Sequence, residues 1–197
     1  MAGGFIRFME EISMNIAVYL GSSLGNDRMY QEAAAELGAW IGDHGHTLVY
    51  GGSKSGLMGV LAGNVVMHGG KVIGVEPDFL MERNAAFDGV TKLIRVHTMA
   101  ERKEKMKALG DAYIAFPGGV GTLDEISEIF SDIRLKRNDK PCILYNLTGY
   151  YDPLREMLKR MVSTGFLEEA ELEQILFLNN LAEIAAVLHS DNWVFYT

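Results

Sequence analysis

Short apolar runs alternate along the chain with longer segments of helical periodicity. Residues 15–20 are almost wholly apolar and stop at Gly21-Ser22-Ser23. Between 28 and 43, Ala33, Leu37, Trp40 and Ile41 fall on one helical face. Residues 47–50 predict a second strand, ending at Gly51-Gly52, and 56–68 a helix that Gly69-Gly70 stops. Strands follow at 71–75, just before Pro77, and at 92–96. A charged helix is expected over 100–109, a strand over 112–116, and a helix over 122–136 with Leu123, Ile126, Ile129, Phe130 and Ile133 on its apolar face. A strand at 142–145 and a helix at 152–163 come next. Asn180 and Glu183 form a capping box before the apolar positions Ile184, Val187 and Leu188.

Such alternation means parallel βαβ units with helices on both faces of a mainly parallel sheet. The expected fold is therefore α/β, a single doubly wound domain over 14–197. Residues 1–13 form an extension, or Met14 is the true start. Nothing in that stretch has the form of a signal peptide. There is no repeat, low-complexity linker or break in composition.

Composition narrows the function classes. Of 197 residues, 48% are apolar and 22% charged, as in ordinary globular proteins. Acids outnumber bases 26 to 18, a formal charge of -8. That disfavours nucleic acid or an anionic membrane as partner. An anionic small molecule would need a local cluster of donors. No run reaches the ~20 apolar residues of a membrane span. Cys142, the single cysteine, lies in an apolar run and reads as core. It excludes an intrachain disulfide and fits a reducing, cytoplasmic setting. His44 and His46 lack a third ligand, so no metal is expected.

Ligands of doubly wound folds sit at the carboxyl ends of the strands. Three Gly-rich turns fall there, after Leu20, Tyr50 and Phe116. The third, Pro117-Gly118-Gly119-Val120-Gly121-Thr122, leads into a helix. Its glycines allow close backbone approach, and the helix N-terminus favours a phosphate. The plainer reading makes Thr122 an N-cap with Glu125 as its capping-box partner. The dinucleotide fingerprint fails because Asp124 stands where its third glycine belongs. The Walker loop fails because Ser53, not glycine, precedes Lys54-Ser55. The turn 51–56 nonetheless has two hydroxyls and an ammonium before a helix. Arg102 and Lys103 open the charged helix, and by composition alone they read as a solvated face.

Taken together, Gly21-Ser22-Ser23, Tyr50-Gly51-Gly52 with Gly56-Leu57-Met58-Gly59, Met99-Ala100-Glu101-Arg102-Lys103 and Pro117-Gly118-Gly119-Val120-Gly121-Thr122-Leu123-Asp124-Glu125 resemble the LOG-type family. These are cytokinin riboside 5'-monophosphate phosphoribohydrolases, often labelled possible lysine decarboxylases. The resemblance runs from about Met14 to Leu188. It implies a Rossmann-like fold, a homodimer, no cofactor, and hydrolysis of the N-glycosidic bond of a nucleoside 5'-monophosphate. It makes Arg102 and Glu125 the catalytic pair. It places Ser22, Gly52, Lys103, Gly118, Gly119, Gly121 and Thr122 on the substrate. This chain departs from the family pattern at Ser53 and in Val75-Glu76-Pro77-Asp78, whose acids lie near the expected base region.

The chemistry agrees with those residue types. Cleaving a ribosyl C–N bond builds positive charge on the sugar and negative charge on the base. A carboxylate beside the sugar stabilises the first and orients water. An arginine, always protonated, is a fixed positive charge rather than a proton donor. Two other readings stand beside hydrolysis. Molybdenum-cofactor carriers use similar Gly-rich architecture to hold a phosphorylated pterin without chemistry, and a nucleotide sensor would turn over little. Lysine decarboxylation would require pyridoxal phosphate on a lysine, for which no motif is present.

Overall fold

The computed structural model describes residues 13–81 and 87–189. Apart from Ser13, the expected extension lies outside the described residues. Seven strands form one sheet: β1 (Asn15–Tyr19), β2 (Thr47–Tyr50), β3 (Lys71–Pro77), β4 (Lys92–Val96), β5 (Ala112–Ala115), β6 (Cys142–Tyr145) and β7 (Ile175–Leu178). Their spatial order is β4-β3-β2-β1-β5-β6-β7, and every pairing is parallel. The order reverses at β1, which pairs with β2 on one side and β5 on the other. A crevice therefore opens where the β1 and β5 connections leave in opposite directions.

The helices are α1 (Arg28–Asp43), α2 (Gly56–Met67), α3 (Asp78–Met81), α4 (Met99–Leu109), α5 (Val120–Arg134), α6 (Asp152–Ser163), α7 (Glu169–Leu172) and α8 (Leu181–His189). Alternate strand residues feed two apolar layers. Ile16, Val18, Leu48, Tyr50 and Ile114 pack against α1, α2 and α8. Ala17, Tyr19, Val49, Val75 and Ala115 pack on the other face, against α4, α5 and α6. Strands apolar on both faces are what a sheet covered on both sides requires.

Several elements differ from the sequence expectation. Strand β3 runs two residues further, because Glu76 and Pro77 continue its ladder with Arg95 and Val96 of β4. Proline is tolerated there at the strand's end. The strand β7 was not anticipated; it pairs with β6 from Cys142↔Ile175 to Tyr145↔Leu178. Its sequence, Ile-Leu-Phe-Leu, is too short to reveal its period. The cap of α8 follows expectation in part. Asn180 Oδ1 accepts the Glu183 N–H at 2.9 Å, but Glu183 reaches back to the Asn179 N–H at 2.7 Å.

Candidate active site

The connections after β1, β2 and β5 pack against one another at the carboxyl edge of the sheet. A Cβ added to Gly118 would lie 2.9 Å from the Gly21 nitrogen and 2.2 Å from Thr122 Oγ1. Glycine is the one residue that fits at that crossing. On the other side, Gly56 adopts φ +60°, and a Cβ there would lie 2.2 Å from the Ser22 carbonyl. The Leu57 N–H donates to the Ser23 carbonyl at 3.3 Å. Three turns far apart in sequence thus form one rim.

Helix α5 begins inside the third turn. Its N-cap is Gly119, extended and without a capping side chain. This corrects the plainer sequence reading, because Thr122 lies inside the first turn and Glu125 a turn further on. Neither is a cap. Thr122 is buried against Gly118, whereas Gly119, Val120 and Gly121 are exposed. A Cβ at Gly119 or Gly121 would meet nothing within 4 Å. The helix therefore presents its first N–H groups to open space, a ready site for an anion.

Freed from capping, Glu125 turns to Arg102. The Arg102 Nη1 donates to Glu125 Oε1 at 3.0 Å, and the two side chains are 10% and 8% exposed. Arg102 lies in the first turn of α4, which Thr98 caps by accepting the Glu101 N–H at 3.1 Å. The guanidinium is held in three directions. Its Nε donates to the Val75 carbonyl at the end of β3, 3.1 Å away. Its Nη2 lies against Gly51, where a Cβ would sit 1.8 Å from it. Arg102 therefore does not lie on a solvated face, as composition alone suggested.

Burial pushes the Glu125 carboxyl above the ordinary carboxylate range, and the neighbouring Arg102 charge opposes that push. Desolvation of both groups offsets much of the attraction in a buried pair. A buried ion pair at the carboxyl edge of the sheet marks a candidate functional site.

The other expected residues fall in several places. Lys103 has turned along the α4–α5 seam, with Nζ 2.9 Å from Asp124 Oδ2 and 2.8 Å from Glu128 Oε1. Those hydrogen bonds, to Glu128 first and then Asp124, raise its ammonium pKa. Ser22 is exposed on the rim. Gly52 adopts φ +85° directly over Glu76. Beyond the expected set, the loop after β6 braces the third turn. Tyr151 Oη donates to the Phe116 carbonyl at 2.8 Å, and Tyr150 Oη donates to the Gly118 carbonyl. Buried Asn146 orients that loop by accepting the Tyr151 N–H at 2.7 Å and donating to Asp152 Oδ1 at 2.9 Å. The signal was there to read: Asn146-Leu147-Thr148-Gly149 is a turn sequence at the carboxyl end of a strand. Among the described residues, no group of three or more His, Cys, Asp or Glu could hold a metal ion.

A family model described as "Possible lysine decarboxylase" matches residues 58–188. The chain is 37% identical over 177 residues to the cytokinin riboside 5'-monophosphate phosphoribohydrolase of Rhodococcoides fascians, covering 89% of each. The chain belongs to the LOG-type family. Its likeness to a rice member of the family, the cytokinin riboside 5'-monophosphate phosphoribohydrolase LOG of Oryza sativa subsp. japonica, is 43% identity over 78% of this chain and 64% of that protein. The chain thus spans less than two thirds of the rice relative's length. The Mycobacterium tuberculosis relative of the same name is 37% identical over 85% of this chain and 89% of its own.

Solved structures extend the fold beyond the LOG-type family. The molybdenum cofactor binding protein of Rippkaea orientalis superposes with TM-score 0.66 at 20% identity, over 90% of this chain and 96% of that one. The molybdenum cofactor carrier protein of Chlamydomonas reinhardtii gives 0.65 at 23%, over 89% and 96%. At those identities the likeness concerns the fold alone. In this chain the Gly-rich turns meet at one rim, and the Arg102–Glu125 pair lies against the Gly51 turn.

A second concavity lies elsewhere. A groove of about 930 Å³ runs between β4, α4 and α5, floored by Ile94, Val96, Ala100 and Ala108. It contains neither Arg102 nor Glu125.

Proposed function

We propose that this chain hydrolyses the N-glycosidic bond of a nucleoside 5'-monophosphate, AMP or an N6-substituted AMP such as a cytokinin riboside 5'-monophosphate. The products are the free base and ribose 5-phosphate, and no cofactor takes part. The observation that carries this reading is the buried Arg102–Glu125 pair, 3.0 Å apart, beside the open N-terminus of α5. In this reading the N–H groups of 119–121 and the Ser22 rim hold the phosphate, with Gly52, Gly118 and Thr122 shaping the wall. Glu125 stabilises the cationic sugar and orients water from one side. Arg102 holds Glu125 in place and offers fixed positive charge to the departing base. Lys103, engaged by Asp124 and Glu128, contributes by fixing α5 against α4.

The test is incubation with AMP and an N6-prenylated AMP, followed by chromatography. Release of base together with ribose 5-phosphate is expected. Glu125→Gln keeps the shape and removes the charge, so it should lower kcat by roughly 100-fold or more. A Gln variant with near-normal turnover would remove Glu125 from the mechanism. A wild-type chain that binds AMP without releasing base would leave a carrier or sensor as the reading.

The family resemblance also supports a homodimer in the cytoplasm. The α4–α5 groove favours the dimer, since its apolar floor is rimmed by charges of both signs, Lys105 and Lys107 against Glu101 and Glu104. No helix among the described residues is long and apolar enough to cross a membrane. Cys142 is buried and free, as a reducing compartment allows.

A further inference from the structure

Among the described residues, Glu76 is the one buried charged residue that lies in a strand. It is 1% exposed, and among the described residues its Oε2 has no hydrogen-bond partner. The buried Tyr50 Oη nearby is likewise without a partner among the described residues. An unpaired carboxylate in such surroundings is costly, and the cheaper form carries a proton. Its place in the fold connects it to the catalytic pair. Val75, the residue before it, gives its carbonyl to Arg102 Nε. Gly52 lies on Glu76 itself: a Cβ on Gly52 would be 3.0 Å from Glu76 Cβ and 3.3 Å from Oε2. Gly51, the next residue back, touches Arg102 Nη2. Strand alternation puts Val75 and Glu76 on opposite faces. One Gly-Gly turn therefore has Arg102 against one residue and Glu76 against the other.

We propose that Glu76 is a positioning residue for the Arg102–Glu125 pair: it braces the Gly51-Gly52 turn from the face opposite Arg102 and, when ionised, draws guanidinium charge away from Glu125 and from an anionic ligand. This rests on the reading of Arg102 and Glu125 as the reactive pair. Among the described residues, the charged and titratable groups that face Glu76 are few. Burial raises its carboxyl pKa, and Arg102 from α4 lowers it. Tyr50 from β2 feels its charge. Helix α2 carries no charged residue. Arg95, its register partner on β4, is committed to Asp78 at 3.0 Å. At low pH the carboxyl is neutral, and Arg102 serves Glu125 and the ligand alone. As pH rises through the raised pKa, a second negative charge appears beside the guanidinium, and an anionic ligand binds less well.

Stability follows the same ionisation. A carboxyl whose pKa is higher folded than unfolded binds more protons in the folded state, so stability falls as pH rises through that window. Glu125 shares the direction, which makes the difference between wild type and Glu76→Gln the informative quantity.

The experiment measures ribose 5-phosphate binding by calorimetry and urea stability, for wild type and Glu76→Gln, between pH 5 and pH 9. Ribose 5-phosphate is not cleaved, so the readout does not require turnover, and its own ionisation cancels in the ratio. The ratio of wild-type to variant Kd should rise from about one at pH 5 to roughly three- to tenfold at pH 8. The wild type should lose urea stability relative to the variant over the same interval. With AMP, KM should carry more of the difference than kcat. Glu76→Ile, an apolar side chain of similar bulk, should give the same rising ratio of wild-type to variant Kd. A Kd ratio independent of pH would overturn the proposal, and so would failure of both variants to fold, since that would make Glu76 structural only. If AMP is not hydrolysed, the hydrolase reading fails while the binding ratio still decides the role of Glu76.

Discussion

Arg102 shows how one side chain can depend on the absence of another. Its Nη2 occupies the volume that a Cβ on Gly51 would need, 1.8 Å away. Gly51→Ala should therefore push the guanidinium off Glu125 without touching any ligating group. Turnover should fall by roughly 100-fold, and overpacking should cost about 1–3 kcal/mol. Gly63→Ala is the matched control, because a Cβ there meets nothing within 4 Å. It should leave activity intact and raise stability by up to ~1 kcal/mol through helix propensity. Equal losses in the two variants, seen in kcat and urea midpoints, would refute the steric argument. The residue types of the pair were readable in the sequence, but the burial of Arg102 was not. Glu101, Glu104 and Lys105 surround it in the chain, and only the wrapping of α4 beneath the Val75 carbonyl turns it inward. The turn at 146–149 was legible, but the roles of Tyr150 and Tyr151 were not. Their hydroxyls reach carbonyls 32 and 35 residues away, a separation that local patterns do not encode.

At the scale of elements, the long periodic helices and the Gly-flanked strands were legible because apolar period and punctuation agreed. The start of α5 was not. Thr122 followed by Glu125 has the spacing of a capping box, yet Val120 and Gly121 are already helical. Tertiary contact settles the matter, with Gly118 locked between Gly21 and Thr122 and Glu125 claimed by Arg102. This gives two glycines of one turn opposite behaviour. Gly118→Ala drives a Cβ to 2.2 Å from Thr122 Oγ1 and should cost about 1–3 kcal/mol in urea unfolding. Gly121→Ala meets open space and should be neutral or stabilising by up to ~1 kcal/mol. Its methyl would nonetheless stand before the helix N-terminus and weaken ribose 5-phosphate binding about tenfold. Unchanged binding in a stable Gly121→Ala chain would move the phosphate away from α5.

For the molecule as a whole, the Arg102–Glu125 pair and the large groove lie apart, and the α4–α5 seam joins them. Asp132 of α5 engages Lys107 of α4 at 2.9 Å, and Asp124 and Glu128 engage Lys103, so the two helices are tied together by ion pairs. The same helices carry Arg102 and Glu125 on one side and line the groove on the other. A second copy seated in the groove would press on the seam that sets the pair's geometry. With a net charge of -8, two copies repel at long range, so association has to come from apolar burial and local charge pairing. Ala108, exposed on the groove floor, is the place to test this. Sedimentation of the wild type should give twice the chain mass of 21.8 kDa. Ala108→Glu should shift it to one chain mass, because an acid placed in an apolar contact beside Glu104 and Glu128 is repelled and desolvated. The variant should still fold, since an exposed helix position accepts glutamate at little cost. A dimer that persists in Ala108→Glu places the interface on another face. A variant that becomes monomeric and also loses hydrolysis would show that the pair depends on the second copy.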